Sequence, residues 1–244
     1  LKSDITCILN GYKRPENLNL IYEALNNQTV KPKEIRLWYN LPEDDTSVNY
    51  DLLHDLNGIM SFKNLGCWAR FAFALLADTE YICIFDDDTV PGKRWLENCL
   101  NTINTYNGLL GTVGLIYGNK YSYFEGTTRH GWPNPNEGTL EVDIVGHSWF
   151  FRRDWLHYLF IEKSHSWNVG EDIHFSYMLQ KYAGIKTFVP PHPKDNKEMW
   201  GSINGYKLGS GKEAMGQNYE LTSKMDYYFK LTVNNGWGLI CDRL

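Results

Sequence analysis

The sequence is short of cationic charge, of cysteine and of long apolar runs, and each shortage removes a class of protein. Lys and Arg total 24 against 29 Asp and Glu, a formal net charge of −5 over 244 residues. A protein that grips a nucleic-acid backbone needs a basic face, so neither DNA nor RNA is an expected partner. Only five cysteines occur (Cys7, Cys67, Cys83, Cys99 and Cys241), an odd and scattered set that reads as free thiols in a reducing compartment. No stretch approaches the roughly 20 apolar residues that cross a bilayer. No signal peptide is expected either, because Leu1-Lys2-Ser3-Asp4 leads straight into an apolar run. The expected location is therefore cytoplasmic, compatible with peripheral attachment to a membrane. The initiator Met is also missing, so an anchor outside this sequence leaves lumenal placement open. Gly-x-Gly-x-x-Gly is absent, which excludes a dinucleotide fingerprint. With no repeat, coiled coil or low-complexity linker, 1–244 reads as one domain, large enough to bury a core without staples.

What the chain does hold is aromatic side chains and one conspicuous run of acids. Nine Trp, sixteen Tyr and eleven Phe exceed what core packing usually demands. Exposed aromatic faces suit sugar rings, and interfaces use them as well. The acids close the stretch Tyr81-Ile82-Cys83-Ile84-Phe85-Asp86-Asp87-Asp88, an apolar run with the composition of a buried strand, stopped by Thr89-Val90-Pro91-Gly92. Residues two apart on a strand share a side, so Asp86 and Asp88 converge while Asp87 faces away. Ligands gather beyond the carboxyl ends of strands in open α/β sheets. Paired carboxylates there suit Mg²⁺ or Mn²⁺. A solvated acidic loop, or a cap on the helix that follows, accounts for the same triplet without a metal.

The order of elements predicts the architecture. Ile5-Thr6-Cys7-Ile8-Leu9 reads as a strand, Asn10 to Pro15 as a loop, and Glu16 to Asn26 as a helix with Leu18, Ile21, Tyr22 and Leu25 at helical spacing. A second strand, Glu34 to Tyr39, ends at Asn40, and Leu41 to Tyr50 is polar and irregular. A short strand near 58–62 and an apolar helix over 71–76 lead into the acid strand. This β-α-β-loop-β-α-β order predicts a mostly parallel sheet with helices on both faces. Further elements are expected at 94–107 (helix), 111–117 (strand), 142–153 (strand), from Glu171 through Tyr182 (helix), at 187–189 (strand) and over 219–229 (helix).

The series Arg14-Pro15, Gln28-Thr29, Pro32 with Glu34-Ile35, Asn64-Leu65-Gly66, Ala69-Arg70 and the Asp triplet, in that order, resembles the nucleotide-sugar glycosyltransferases of the GT-A fold, of the broad family 2 type. The resemblance covers roughly Ile5 to Pro193. It implies an α/β, Rossmann-like, mostly parallel sheet with a smaller antiparallel sheet on the acceptor side. It further implies a nucleotide-sugar-binding half over 1–118, an acceptor and catalytic half over 119–193, and a closing segment over 194–244. The implied activity is metal-dependent transfer of one sugar from a nucleoside diphosphate, UDP favoured, to a hydroxyl of a glycan, protein or lipid. The processive signature Gln-x-x-Arg-Trp is absent, in keeping with a single transfer per encounter.

Site residues follow from the resemblance position by position. Asp88 would hold the metal, and Asp86 the metal or the ribose hydroxyls, with Asp87 beside them at the nucleotide. Arg70 would meet the diphosphate, although a surface salt bridge explains it equally simply. Asn10, Tyr12 and Arg14 border the base, Asn64 lies in the Asn-x-Gly turn of the nucleotide side, and Asn40 stands where the family often has a base-contacting Asp. In Val142 to Arg153, Gly146 marks close approach by a ligand, and His147, on the same side as Trp149 by period-two counting, would line the donor sugar pocket or sit in the core. Asn119 to Gly138, with Arg129, His130 and Trp132, belongs to the acceptor side or to an adaptable surface loop. Gly170-Glu171-Asp172 opens a helix whose dipole its acids complement. In inverting members such a pair carries the catalytic base, here Asp172 or, as a substitute, Glu171. His192, flanked by prolines, is the expected third metal ligand and would favour Mn²⁺ over Mg²⁺. Lys207 and Lys212, in a Gly-rich stretch, would meet phosphate as that stretch closes and excludes water. Two rivals remain: a metal-dependent nucleotidyltransferase or phosphohydrolase, and a non-catalytic sugar-binding module.

Overall fold

The computed structural model describes residues 3–42, 48, 50–209 and 219–243. In chain order its elements are β1 (Ile5–Gly11), α1 (Pro15–Asn26), β2 (Glu34–Asn40), α2 (Tyr50–Asp55), β3 (Ile59–Ser61), α3 (Ala69–Ala74), β4 (Tyr81–Phe85), α4 (Trp95–Tyr106), β5 (Leu109–Ile116), β6 (Thr128–Gly131), β7 (Leu140–Val142), β8 (Ile144–Arg152), α5 (Leu156–Leu159), α6 (Glu171–Ala183), β9 (Thr187–Val189), α7 (Gly205–Gly209) and α8 (Tyr219–Asn234). The helix boundaries have local causes. Pro15 is pre-set for the first turn of α1, which buries Leu18, Ile21 and Leu25 along one stripe. Asn107, left-handed at φ 47°, stops α4 after it has buried Trp95, Leu96, Cys99 and Ile103.

The nine strands form one sheet in the order β3-β2-β1-β4-β8-β5-β9-β7, with β6 on β5. Strands β1, β2, β3 and β4 pair in parallel, whereas β8 runs antiparallel to both β4 and β5. The antiparallel strands expected on the acceptor side are therefore present, and they continue the main sheet instead of forming a second one.

Strand β4 is buried along its whole length, as its apolar run requires. On one face, Phe71 of α3 meets Trp149 of β8 at 5.6 Å and Phe175 of α6 meets Phe151 of β8 at 5.1 Å. On the other, Cys83 meets Cys7 of β1 together with Trp95 and Cys99 of α4. Helices thus cover both faces, as expected. All five cysteines are free thiols. No helix among the described residues is long and apolar enough to cross a membrane.

Candidate active site

Register brings the candidate residues to one end of the sheet. Leu9 of β1 lies opposite Phe85 of β4, and Phe85 lies opposite Ser148 of β8. One step further, the β1 loop, the acid triplet and His147 must converge, and the backbone N–H of Asp86 donates to the His147 carbonyl at 3.0 Å. Between Gly111 and Val113 the β5 pairing slips, so that β8 carries an extra residue at 147–148. His147 takes a left-handed φ of 64° in this bulge. A bulge re-aims the side chain it carries. Here it turns the imidazole to the acids, and the period-two expectation that grouped His147 with Trp149 fails. Trp149 is buried under Arg70, whose guanidinium carbon lies 4.4 Å from the indole ring.

Ligand atoms of Asp86, Asp88 and His147 all lie within 4.8 Å of one another. Two carboxylates and an imidazole form a hard, mixed O/N set that fits a divalent cation, Mn²⁺ better than Mg²⁺. Burial works against charge on Asp88, yet the His147 hydrogen bond, His147 itself and Arg14 hold its carboxyl below the usual range. A ligand must be deprotonated to bind metal, and Asp88 meets that requirement. Burial raises Asp86 despite its ion pair with Arg70.

Asp87 does not turn outward. Its Oδ1 accepts from Arg14 at 2.7 Å and its Oδ2 from the Tyr12 backbone N–H at 3.2 Å, while burial lifts its pKa to about 7. Arg14 also reaches Asp88, at 3.2 Å. Asp87 therefore ties the β1 loop to the triplet. At the end of β1, the buried Oδ1 of Asn10 has no hydrogen-bond partner among the described residues, which suits a ligand donor.

The second acid pair begins α6. Gly170 precedes it at φ 85°, with the Tyr228 ring so close that a Cβ would meet it at 2.7 Å. Only glycine meets both demands. Glu171 is buried and fully occupied, accepting from Arg70 Nη2 at 2.9 Å and from Cys67 Sγ at 2.8 Å. Asp172 is half-buried, and its Oδ1 accepts from the backbone N–H of Ile173 at 2.8 Å. Burial, reinforced by the neighbouring Glu171 charge, lifts the Asp172 pKa to about 7. Burial and Glu171 together raise the Cys67 thiol well above its ordinary value, so it sits there as a neutral donor.

Three expected ligands are placed differently. His192 is wholly buried, far from a ligand's requirements: its Nδ1 donates to the Pro190 carbonyl at 2.8 Å and its Nε2 accepts from the Gly201 N–H at 3.1 Å. With both nitrogens used and its ring between Trp95 and Trp200, burial pushes its pKa down to about 4. The structure brings His147, not His192, to the acids. Arg70 is likewise enclosed, bridging Asp86 and Glu171, so its guanidinium holds two acids instead of facing the diphosphate. Burial alone would weaken its charge, but those two acids more than restore it. Asn40 is buried, with Oδ1 accepting from the Leu65 N–H and Trp38 Nε1 and Nδ2 donating to the Gly66 carbonyl. It shapes the following turn and has no free edge for a base. Asn64 does the same work from the surface, its Oδ1 accepting from the Gly66 N–H at 2.8 Å.

Among the described residues, no atom lies within 4 Å of where a Cβ on Gly146 would be, leaving open space beside His147. Arg129 Nη2 lies 3.2 Å from His147 Nε2, so the 119–138 loop does reach the site. Lys207 is exposed on α7, whose Gly209 packs against the Asp88 carboxylate, and Lys212 lies outside the described residues. The role of His147 was the residue that sequence reasoning placed least well. The adjacent Gly146, inside a strand, was the signal for the bulge.

Three variants separate these placements. Replacing Arg70 with Leu leaves the buried Glu171 and the partly buried Asp86 without their cation, a loss of roughly 3–5 kcal/mol readable by urea denaturation. Wild-type stability with lost donor affinity would instead make Arg70 a phosphate ligand. His192→Ala should lower the melting temperature and leave Mn²⁺ affinity intact, whereas His147→Ala should do the reverse. Titration of free Mn²⁺ by electron paramagnetic resonance, beside thermal melts, reads both.

An α/β sheet carrying an acid triplet at the carboxyl end of its fourth strand, answered by a second acid pair at a helix start, defines a GT-A fold glycosyltransferase domain. The profile of glycosyl transferase family 2 matches residues 6–160, and the chain belongs to that family. The crystal structure of S. aureus TarS 1-349 superposes with a TM-score of 0.54 at 16% identity, over 80% of this chain and 62% of that one. At that identity the likeness is one of fold, and this chain spans less than two thirds of that structure. No curated protein matches the chain.

Proposed function

We propose that this chain catalyses metal-dependent, inverting transfer of a sugar from a nucleoside diphosphate sugar, UDP favoured, to a hydroxyl of a saccharide or glycoconjugate. The observation that carries the reading is the pairing of two acid sites through one buried cation: the cluster of Asp86, Asp88 and His147, and the Glu171-Asp172 pair, joined by Arg70. A divalent cation held by Asp86, Asp88 and His147 would supply Lewis-acid neutralisation of the departing diphosphate.

The chain's own residues do the rest. Arg14 is the partly exposed guanidinium at the triplet, and it can turn from Asp87 and Asp88 to phosphate oxygens with the bidentate geometry that suits them. Asn10 and Tyr12 border the nucleotide, and the open space at Gly146 receives the donor sugar. Asp172 is the base, because Glu171 is already occupied by Arg70 and Cys67. As the acceptor oxygen forms its bond to the anomeric carbon, Asp172 takes the hydroxyl proton, and the electron pair of the breaking C–O bond leaves with the diphosphate.

Incubation with UDP-, GDP- and dTDP-sugars and Mn²⁺, scoring nucleotide release, tests this reading. Release from one donor class, abolished by chelation, is the expected result. Release of monophosphate or pyrophosphate would indicate phosphohydrolase chemistry, and binding without turnover a sugar-binding module.

A further inference from the structure

Aromatic side chains in excess of core demand pointed to sugar stacking, and the structure shows where most of them went. Of the nine tryptophans, Trp68, Trp95, Trp132, Trp149, Trp155, Trp200 and Trp237 are buried and Trp38 is partly so. Only Trp167 is exposed, at 50%. An indole half in water costs free energy that a core position would not, so its setting matters.

That setting is built. Trp167 stands edge-on to the buried Trp68, with ring centroids 5.1 Å apart, which leaves one flank supported and the rest open. Its backbone is held from several sides. Gly66, at φ 71°, approaches so closely that a Cβ would lie 2.7 Å from the Trp167 carbonyl oxygen. Ser166 Oγ accepts from the N–H groups of Asn168 and Val169, at 3.1 and 3.4 Å. Ser164 Oγ anchors the turn through the Ser166 carbonyl at 2.5 Å and the Tyr228 hydroxyl at 3.0 Å. The Cys67 thiol that donates to Glu171 also reaches the Asn168 carbonyl, at 3.7 Å. The same turn runs through Gly170 into Asp172, so the exposed ring and the proposed base belong to one hydrogen-bonded segment.

Contacts also order the site from end to end. The β1 loop meets the triplet at Asp87, Asp86 meets Arg70, Arg70 meets Glu171, Glu171 meets Cys67, and Cys67 meets the turn bearing Trp167. The nucleotide-side loop lies at one end of this chain of contacts and the indole at the other. Asn40, the one candidate base contact near the Trp167 turn, is occupied by Trp38, Leu65 and Gly66.

Resting on the transferase reading above, we infer that Trp167 is the stacking platform for the acceptor, and that the acceptor presents a saccharide ring next to Asp172. A flat apolar face binds the C–H face of a pyranose and sets the orientation in which its hydroxyl meets the base.

Because Trp167 is the only exposed indole, acrylamide quenching of tryptophan emission reports on it selectively. Wild type and Trp167→Phe, both checked for cooperative melting, are titrated with maltotriose, cellotriose, chitotriose and UDP in the presence of Mn²⁺. The expected result is that at least one trisaccharide shields the quenchable emission of wild type, that Trp167→Phe lacks the response, and that UDP alone does not produce it. In turnover, Trp167→Ala should raise the acceptor KM about tenfold with donor KM and donor hydrolysis unchanged. Shielding by UDP alone, no shielding by any trisaccharide, or a raised donor KM each overturns the platform. Absence of nucleotide release from wild type overturns the transferase reading instead, and the shielding result then still decides whether Trp167 binds sugar.

Discussion

Replacing Asp88 with Asn is expected to lower Mn²⁺-dependent nucleotide release by about 10³-fold or more. Asn keeps the shape of the side chain and most of its hydrogen bonding, so the loss isolates the charge. Asp88 is the acid of the triplet whose pKa lies below its ordinary value, owing to His147 and Arg14 against the opposing effect of burial. Asp86 is already engaged by Arg70, and Asp87 by Arg14 and Tyr12. Without Asp88 the cluster keeps one imidazole and one carboxylate that is raised and ion-paired, too weak a set to hold a divalent cation. The measurement pairs Mn²⁺ titration with release from the preferred donor. A variant that binds Mn²⁺ and turns over normally would remove the metal site from this corner of the molecule.

Asp172→Asn is expected to suppress transfer by roughly 10²–10⁴-fold, the range typical of general-base removal, while donor affinity stays within a fewfold of wild type. The pH profile gives the sharper readout. With a pKa of about 7 set by burial and by Glu171, Asp172 is protonated and inactive below that value and becomes a base above it. Transfer by wild type should therefore rise through about pH 7, and the variant's residual rate should lack that limb. The sign for stability is opposite. A carboxyl that titrates higher in the folded chain than in the unfolded one holds its proton more tightly when folded, so its contribution is lost as pH rises from about 4 through 7. Asp172→Asn should then melt higher than wild type at pH 8, as expected where a catalytic group is kept at a cost to stability. A variant that melts lower and binds donor poorly would mark Asp172 as structural.

The β1-α1-β2 opening, the acid strand and the helix at Glu171 were legible because their causes are local. Pro15 at a helix start, Gly170 before an acid pair, and an apolar run of five residues stopped by Pro91-Gly92 each act within a few positions. Helix α2 was missed at the end of a polar stretch, and β6 and β7 within a loop and a strand margin, where few apolar residues mark a period. The direction of β8 was not legible either. An apolar run buried on both faces reads alike whether its neighbours run parallel or antiparallel to it.

The amino-acid sequence by itself determined that acids would end a buried strand and begin a helix, and the ordered motifs around them identified the family. Which side chains meet was decided only in three dimensions. His147 reaches the acids because a bulge against β5 turns it there, and His192 does not because Trp95, Trp200 and Gly201 enclose it. Arg70 bridges Asp86 and Glu171, residues 16 and 101 positions away along the chain. A charge buried at that depth is held by whatever opposite charges the packing delivers, and no local pattern records which ones those are.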